Sequence, residues 1–380
     1  MHHRATAPLY AAGFVTAFGA HGIAAGLGNY THTSLLTLGL LLAVYDGAEI
    51  VLKPVFGTLA DRIGPRPVLL GGLLAFTLAS AAFVVSGNPA TVGVARLAQG
   101  AAAAAFSPAA SALVARLTPT THHGRAFGGY GAWKGLGYTL GPVLGGVLIA
   151  VGGFTALFAA LALISLTVAI WATFTVPTVA PLPKPRQTLK DLTRRLTSPG
   201  FLRPTAALSA TTAALAVGVG FLPVQAAAWG PLVSGAAVSC MAAAAALIQP
   251  LVGKARDKGR LRDTAGMATG LLLAAAGYTI AATIPGPIAL FTAAIAIGTG
   301  AGAATPLGFA ALAAATTPEH LGQTMGSAEV GRELGDAGGP LLVGAIATAT
   351  TLSGGLIALT AVLTTAALTI TFPKPRTQRE

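Results

Sequence analysis

Twelve apolar stretches, each about as long as a bilayer core is thick, follow one another along this chain. They lie near residues 8–28, 34–56, 67–86, 90–117, 126–151, 153–176, 204–228, 230–252, 264–284, 287–315, 325–349 and 352–372. Most of the connections are too short to hold a soluble domain. Only 9% of the residues are charged and 54% are hydrophobic, whereas a soluble domain is about 25% charged. There is too little polar surface to coat a globule of this size in water. A soluble enzyme, a disordered regulator and a collagen-like fibre are therefore excluded. Ten-residue strands of alternating polarity are missing, so the spans are expected to be helices and not barrel strands. The expected fold class is an all-α membrane protein with twelve transmembrane helices.

One long polar segment interrupts the series, from Pro177 to Pro204. It divides the chain into six spans and six spans, giving expected units of 1–176, a basic linker of 177–203, and 204–380. With both termini on the cytoplasmic side, 20 of the 23 Lys and Arg residues fall in cytoplasmic segments, Lys53 counted among them, and none in the outer loops. That asymmetry is the positive-inside rule, and it predicts a multi-pass protein of the plasma or inner membrane with cytoplasmic termini. The net charge of +12 thus reports topology and contact with anionic membrane lipid, and nucleic acid is not an expected partner. No cleavable leader is expected, since Met1–Pro8 runs straight into a span. The single cysteine, Cys240, rules out a disulfide framework or a cysteine-based metal site, and no metal-ligand set is seen.

The two halves repeat. At an offset of 198, Ser107-Pro108 matches Thr305-Pro306, Gly124 matches Gly322, Gly128 matches Gly326, Lys134 matches Arg332, and Gly141-Pro142 matches Gly339-Pro340. At 196, Gly57 and Asp61 match Gly253 and Asp257. The shared offset carries the argument, because single matches arise easily in an Ala- and Gly-rich chain. Two parallel six-helix bundles related by a pseudo-twofold axis and joined by a linker are the architecture of an alternating-access transporter.

The segment GTLADRIGPRPVLL, Gly57–Leu70, resembles the loop 2–3 signature of the major facilitator superfamily, with Gly57, Asp61, Arg62, Gly64 and Arg66 in place. Pro65 and Pro67 depart from its usual basic ending. RLAQG, Arg96–Gly100, resembles the span-four signature, and GLGYTLGPVLGG, Gly135–Gly146, the span-five antiporter signature through Gly137, Gly141, Pro142, Gly145 and Gly146. Physically, Asp61 can accept hydrogen bonds from a helix N-terminus and latch one half to the other. Glycines at 137, 141 and 145 make a smooth helix face for close approach. The resemblance implies that this face packs between the halves, and that the chain resembles the twelve-span drug:proton antiporter branch.

Ionisable groups in hydrocarbon cost roughly 2.5–3.5 kcal/mol each on insertion scales, so they should face a cavity or a partner. Asp46, Glu49, Arg96, Lys134, Glu329, Arg332, Glu333 and Asp336 are the expected proton-coupling set. Helical rise puts Glu49, Lys134 and Arg332 at similar depth, about 12 Å from the cytoplasmic helix ends. Acids outnumber bases in this layer, whether or not Lys53, on one helical face with Asp46 and Glu49, is counted in it, so at least one carboxylate is left without a cation. Asp46, for its depth, and then Glu49 are the expected proton carriers. A competing reading puts Glu329 and Asp336 at wet helix ends. His21, Asn29, Tyr45, Gln99, Tyr138, Gln225 and Gln249 are the expected polar lining of a substrate cavity. Spans three, six, nine and twelve hold no charge, as suits lipid-facing helices.

The expected function is secondary transport of a small organic compound, drug-like export against protons first, import or facilitated passage of a metabolite second, and a membrane sensor or scaffold third. An enzyme is not expected: no HExxH or GxSxG appears, and no GxxxxGK[ST] to hold a nucleotide. No cofactor is expected beyond the proton as coupling ion, and the protein is expected to be a monomer.

Overall fold

The computed structural model describes residues 2–24, 35–83, 89–181 and 189–371. Three helices begin where the sequence places proline after glycine. Pro65, Pro231 and Pro287 each open a helix behind Gly64, Gly230 and Gly286, whose φ angles are 96°, 86° and 112°. Proline lacks only an N–H that the first turn leaves unused, and the left-handed turn before it suits glycine. Half one consists of α1 (His2–Ala24), α2 (Leu35–Ile63), α3 (Pro65–Ala82), α4 (Pro89–Leu117) and the long helix His123–Thr175. That helix breaks at Gly152 and Gly153, giving α5 before the break and α6 after it. The short α7 (Leu189–Leu196) follows. Half two consists of α8 (Pro199–Gln225), α9 (Pro231–Asp257), α10 (Asp263–Thr283), α11 (Pro287–Ala314), α12 (Leu321–Ala349) and α13 (Leu352–Thr371). The expected linker therefore ends early, because Pro199–Arg203 already form the first turns of α8.

Packing repeats between the halves. α1 lies on α5 as α8 lies on α12, and α2 on α4 as α9 on α11. α3 and α10 each pair with the next helix and with the last of their half. Two crossings join the halves, α2 on α12 and α5 on α9, which are the same contact under the pseudo-twofold. Small residues let the backbones approach: Ala103, Ala104, Ala109 and Ala110 of α4 are fully buried. Threonine hydroxyls bond back to carbonyls one turn earlier, as Thr77 does to Leu73 at 2.9 Å. Among the described residues, eight helical stretches are long and apolar enough to cross a membrane. α1, α2 and α12 fall outside that set, and α2 and α12 each carry several acidic and basic residues. α3, α6, α10 and α13 turn large apolar side chains outward, including Leu78, Phe174, Leu272 and Val362.

Candidate functional site: the charged seam between the halves

The seam begins at the end of the molecule where α1 starts and α13 finishes. There Asp61, at the close of α2, accepts hydrogen bonds from the backbone N–H groups of Gly322 (2.7 Å) and Gln323 (2.9 Å). These are orphan donors at the start of α12, and the helix dipole favours a carboxylate beside them. Asp257, at the end of α9, does the same for Gly124 (2.9 Å) and Arg125 (2.8 Å) at the start of α5. The sequence repeat contained this second latch through its Asp61/Asp257 match. Arg195 of α7 donates to the Gln323 side chain, docking the linker helix on the first latch. Arg66 bonds Thr178 (2.8 Å) and the Thr173 carbonyl (2.7 Å), so it ties α3 to the end of its own half. Arg62 is exposed.

One turn inward the backbones touch. A Cβ on Gly57 would run into the Gly322 carbonyl, and one on Gly124 would stand 2.5 Å from the Gly253 carbonyl. Gly326 lies against the Lys53 carbonyl, and Gly128 against that of Gln249, so Lys53 and Gln249 are structural counterparts. Phe127 of α5 stacks on Phe309 of α11 at 5.5 Å, carrying the apolar core across the seam. Toward the opposite end the contacts stop. Among the described residues, a Cβ on Gly47, Gly146, Gly235 or Gly338 would meet nothing within 4 Å.

The span-five glycines occupy a different place from the one their resemblance implies. Gly137 lies against Phe14 and Ala17 of α1, and Gly145 against Gly22 of the same helix, while Gly141 touches Gly22 through its carbonyl. The face that meets the other half carries Gly124, Gly128, Gly131 and Gly135. Two residues of helix turn a side chain by about 200°, so Gly135 and Gly137 look in opposite directions. Pro142 belongs to α5, and a Cβ on Gly146 meets open space.

Beyond the glycines lies a layer of buried charge. The Lys53 ammonium sits 3.1 Å from Glu49, 2.5 Å from Glu333 and 3.7 Å from Glu329. Glu329 is fully buried and also bonds Lys134 at 2.8 Å and Arg332 at 3.1 Å. Three carboxylates and three cations from α2, α5 and α12 thus form one network across the seam. This overturns the wet-helix-end reading of Glu329. It also removes Lys53 from the cytoplasmic basic residues. α2 continues ten residues past Lys53 to Ile63, which sets the ammonium about 15 Å inside the helix end. A buried charge this deep is tolerable only because each has partners.

Arg96 of α4 forms a second cluster. Its guanidinium lies 4.3 Å from the centre of the Tyr45 ring and donates to Gln99 at 3.2 Å, and Gln99 donates to Ser80 at 3.0 Å. Arg96 is 1% exposed, so it is packed behind Tyr45 and does not line an open cavity. Asp46 is exposed and Asp336 half-buried; among the described residues neither makes an ion pair. Tyr138 is also half-buried, on α5. Gln225 donates to the Ala281 carbonyl at 2.6 Å, within half two and away from the network. Gln249 is buried against Gly131 and Gly135 in the α5–α9 crossing, so neither glutamine belongs to a central cavity. Asn29 and the side chains of His21 and Pro142 lie outside the described residues.

Arg96 gives a specific expectation. A lysine there keeps the charge but cannot both stack on Tyr45 and donate in the guanidinium's plane to Gln99. Arg96→Lys should cost about 2 kcal/mol at this site and lower transport, measured as initial flux into vesicles at matched protein levels. Wild-type flux in the lysine variant would make the residue a mere spacer.

The family model described as Major Facilitator Superfamily matches residues 9–262 and again 206–380. The chain belongs to the Major Facilitator Superfamily. It is a multi-pass membrane protein of that family. Its sequence is 31% identical over 111 residues to the quinolone resistance protein NorA of Staphylococcus aureus, a stretch covering 29% of each chain. It is 32% identical over 138 residues to the multidrug resistance protein MdtG of Erwinia billingiae, covering 36% of this chain and 34% of MdtG. The chain thus matches about a third of the length of these relatives. The E. coli fucose:proton symporter FucP shares the fold, with a TM-score of 0.78 at 15% identity over 97% of this chain and 98% of FucP.

Proposed function

We propose that this transporter exports a small organic compound in exchange for protons, by rocking its two halves about the charged layer. The carrying observation is the six-membered network of Glu49, Lys53, Lys134, Glu329, Arg332 and Glu333, placed where α2, α5 and α12 meet. Such a network is costly to bury and is a weak device for stability alone. It is well suited to a motion in which charges exchange partners. Asp46 and Asp336, on the side where the seam contacts stop, are placed to meet a proton or a cationic group first. The direction of transport is supported by NorA and MdtG, whose names describe resistance. α1 starts and α13 finishes at the latched end, and the charge asymmetry of the sequence supports a cytoplasmic position for that end.

Inside-out vesicles with an acidic lumen test this reading. A transported compound should collapse the proton gradient in wild-type vesicles and accumulate inside them. Asp46→Asn and Glu49→Gln are each expected to slow that proton movement about tenfold, a barrier change of about 1.4 kcal/mol. Unaltered coupling in both variants removes these carboxylates from the mechanism, and transport in the reverse sense removes export.

A further inference from the structure

The two crossings between the halves share backbone geometry but not charge. At the α2–α12 crossing Lys53 faces Glu329 and Glu333. At the α5–α9 crossing its counterpart Gln249 faces Gly131 and Gly135, and those glycines occupy the positions that match Glu329 and Glu333 at the 198-residue offset. At this depth one crossing is ionic and the other neutral, so only the first has ion pairs that hold the halves together here.

The ion pairs divide into two kinds. Glu49–Lys53 lies within α2 and Glu329–Arg332 within α12, four and three residues apart; these survive any rigid rotation of the halves. Lys53–Glu333, Lys53–Glu329 and Lys134–Glu329 cross between halves and are lost when the latched end parts. After parting, Lys53 still has Glu49, and Glu329 still has Arg332. Lys134 has a new acceptor within its own half, because Glu49 Oε1 is buried without a hydrogen-bond partner among the described residues. Glu333 has nothing. Its only ion pair is with Lys53 among the described residues, and Arg332, next in sequence, points about 100° away around the helix.

We infer that Glu333 is the carboxylate that must take up a proton before the latched end can open, with Lys53 as its positioning partner. This deepens the proton-exchange reading above and rests on it, naming Glu333 in place of Asp46 or Glu49 as the switching group. The proton comes from water on the unlatched side and binds a Glu333 carboxylate oxygen, giving a neutral carboxylic acid. Lys53 remains an ammonium and is held by Glu49. Once the latched end has opened, the proton leaves to water there. Access supports the assignment: the Glu333 side chain is 9% exposed, against 4% for Glu49 and 0% for Glu329. The charged and titratable groups around Glu333 are Tyr45, Asp46, Glu49 and Lys53 from α2, Arg96 from α4, Lys134 and Tyr138 from α5, and Glu329, Arg332 and Asp336 from α12 itself. α8 brings no ionisable side chain near this depth, and α11 and α13 carry none at all.

The test is a distance measurement across the latched end. Spin labels are placed at Ile63→Cys and Thr317→Cys in a Cys240→Ser background, in nanodiscs without substrate. The protein with native Glu333 should show one short distance at neutral pH and gain a longer component on acidification. Glu333→Gln should show the longer component at both pH values, its closed-to-open ratio shifted about tenfold or more. Glu333→Asp, which keeps a titratable group, should restore the pH response. Retention of the native pH response in Glu333→Gln overturns the assignment, as does the absence of any acid-dependent component in protein with native Glu333. Proton-coupled flux in vesicles is read separately. Its presence beside an unaltered distance response defeats the Glu333 assignment while leaving the exchange reading intact, and its absence defeats that reading itself.

Discussion

Replacing Lys53 with methionine should be the most damaging single change in the charged layer. Methionine fills similar volume but leaves Glu49, Glu329 and Glu333 to share Lys134 and Arg332. Glu333 and Glu49 then lose their shared counterion inside a fully buried site. Removing one partner of a buried pair typically costs about 3–5 kcal/mol, because the other charge stays desolvated. That cost falls on the state with the latched end closed, so Lys53→Met should lower thermal stability and drive the halves apart at that end. A second substitution separates charge from packing. Lys53→Met with Glu333→Gln restores two acids to two bases, and removal of both partners is often close to neutral. The double variant should recover most of the lost stability but not the pH response. Melting temperature of the purified protein reads the first property and the distance between labelled α2 and α12 the second. Additive loss in the double variant would show that Lys53 contributes packing alone.

The length of the apolar stretches made the helices legible. The repeat pointed to both latches, since Asp61 and Asp257 hold the same position in the two halves. Helical rise placed Glu49, Lys134 and Arg332 at one depth, and the structure joins them in one network. The misplacements have physical causes. Lys53, near the end of the expected span 34–56, could be counted either with the cytoplasmic bases or with the charged layer, and the run of α2 on to Ile63 puts it in the layer. Gly137, Gly141 and Gly145 share a face, but spacing alone does not say which neighbour that face meets; here it is α1. Gln225 and Gln249 have amide side chains like any cavity lining, and only tertiary packing shows that one bonds the end of α10 and the other fills the neutral crossing. The expected linker overran α8, because Arg203 continues the polar, basic run of the linker although it lies in the first turns of a helix that opens at Pro199.

The close backbone contacts give the second large expectation. At Gly57 and Gly322 each added Cβ would strike the other residue's carbonyl, and at Gly322 it would also stand 2.8 Å from the Asp61 carboxylate. A backbone carbonyl held in a helix cannot swing aside as the tip of a side chain can, so the only relief is to move α2 away from α12. That movement also lengthens the Asp61 bonds to the α12 N-terminus, so the steric penalty and the loss of the latch act together. Overpacking a close contact costs about 1–3 kcal/mol, which is about 5- to 150-fold in the ratio of closed to open molecules. Gly57→Ala should therefore depopulate the latched state and cut the flux by an order of magnitude or more, although alanine favours the helix itself by about 1 kcal/mol. Gly253→Ala should do the same at the other crossing, where the Gly124 carbonyl blocks it. Gly71→Ala is the control, since a Cβ there meets nothing within 4 Å on the outer face of α3; it should transport normally and melt no lower. Cross-linking yield between cysteines at Ile63→Cys and Thr317→Cys, together with flux, separates these outcomes. A Gly57→Ala protein that cross-links and transports like the parent would mean that the halves never close on these backbones during the cycle.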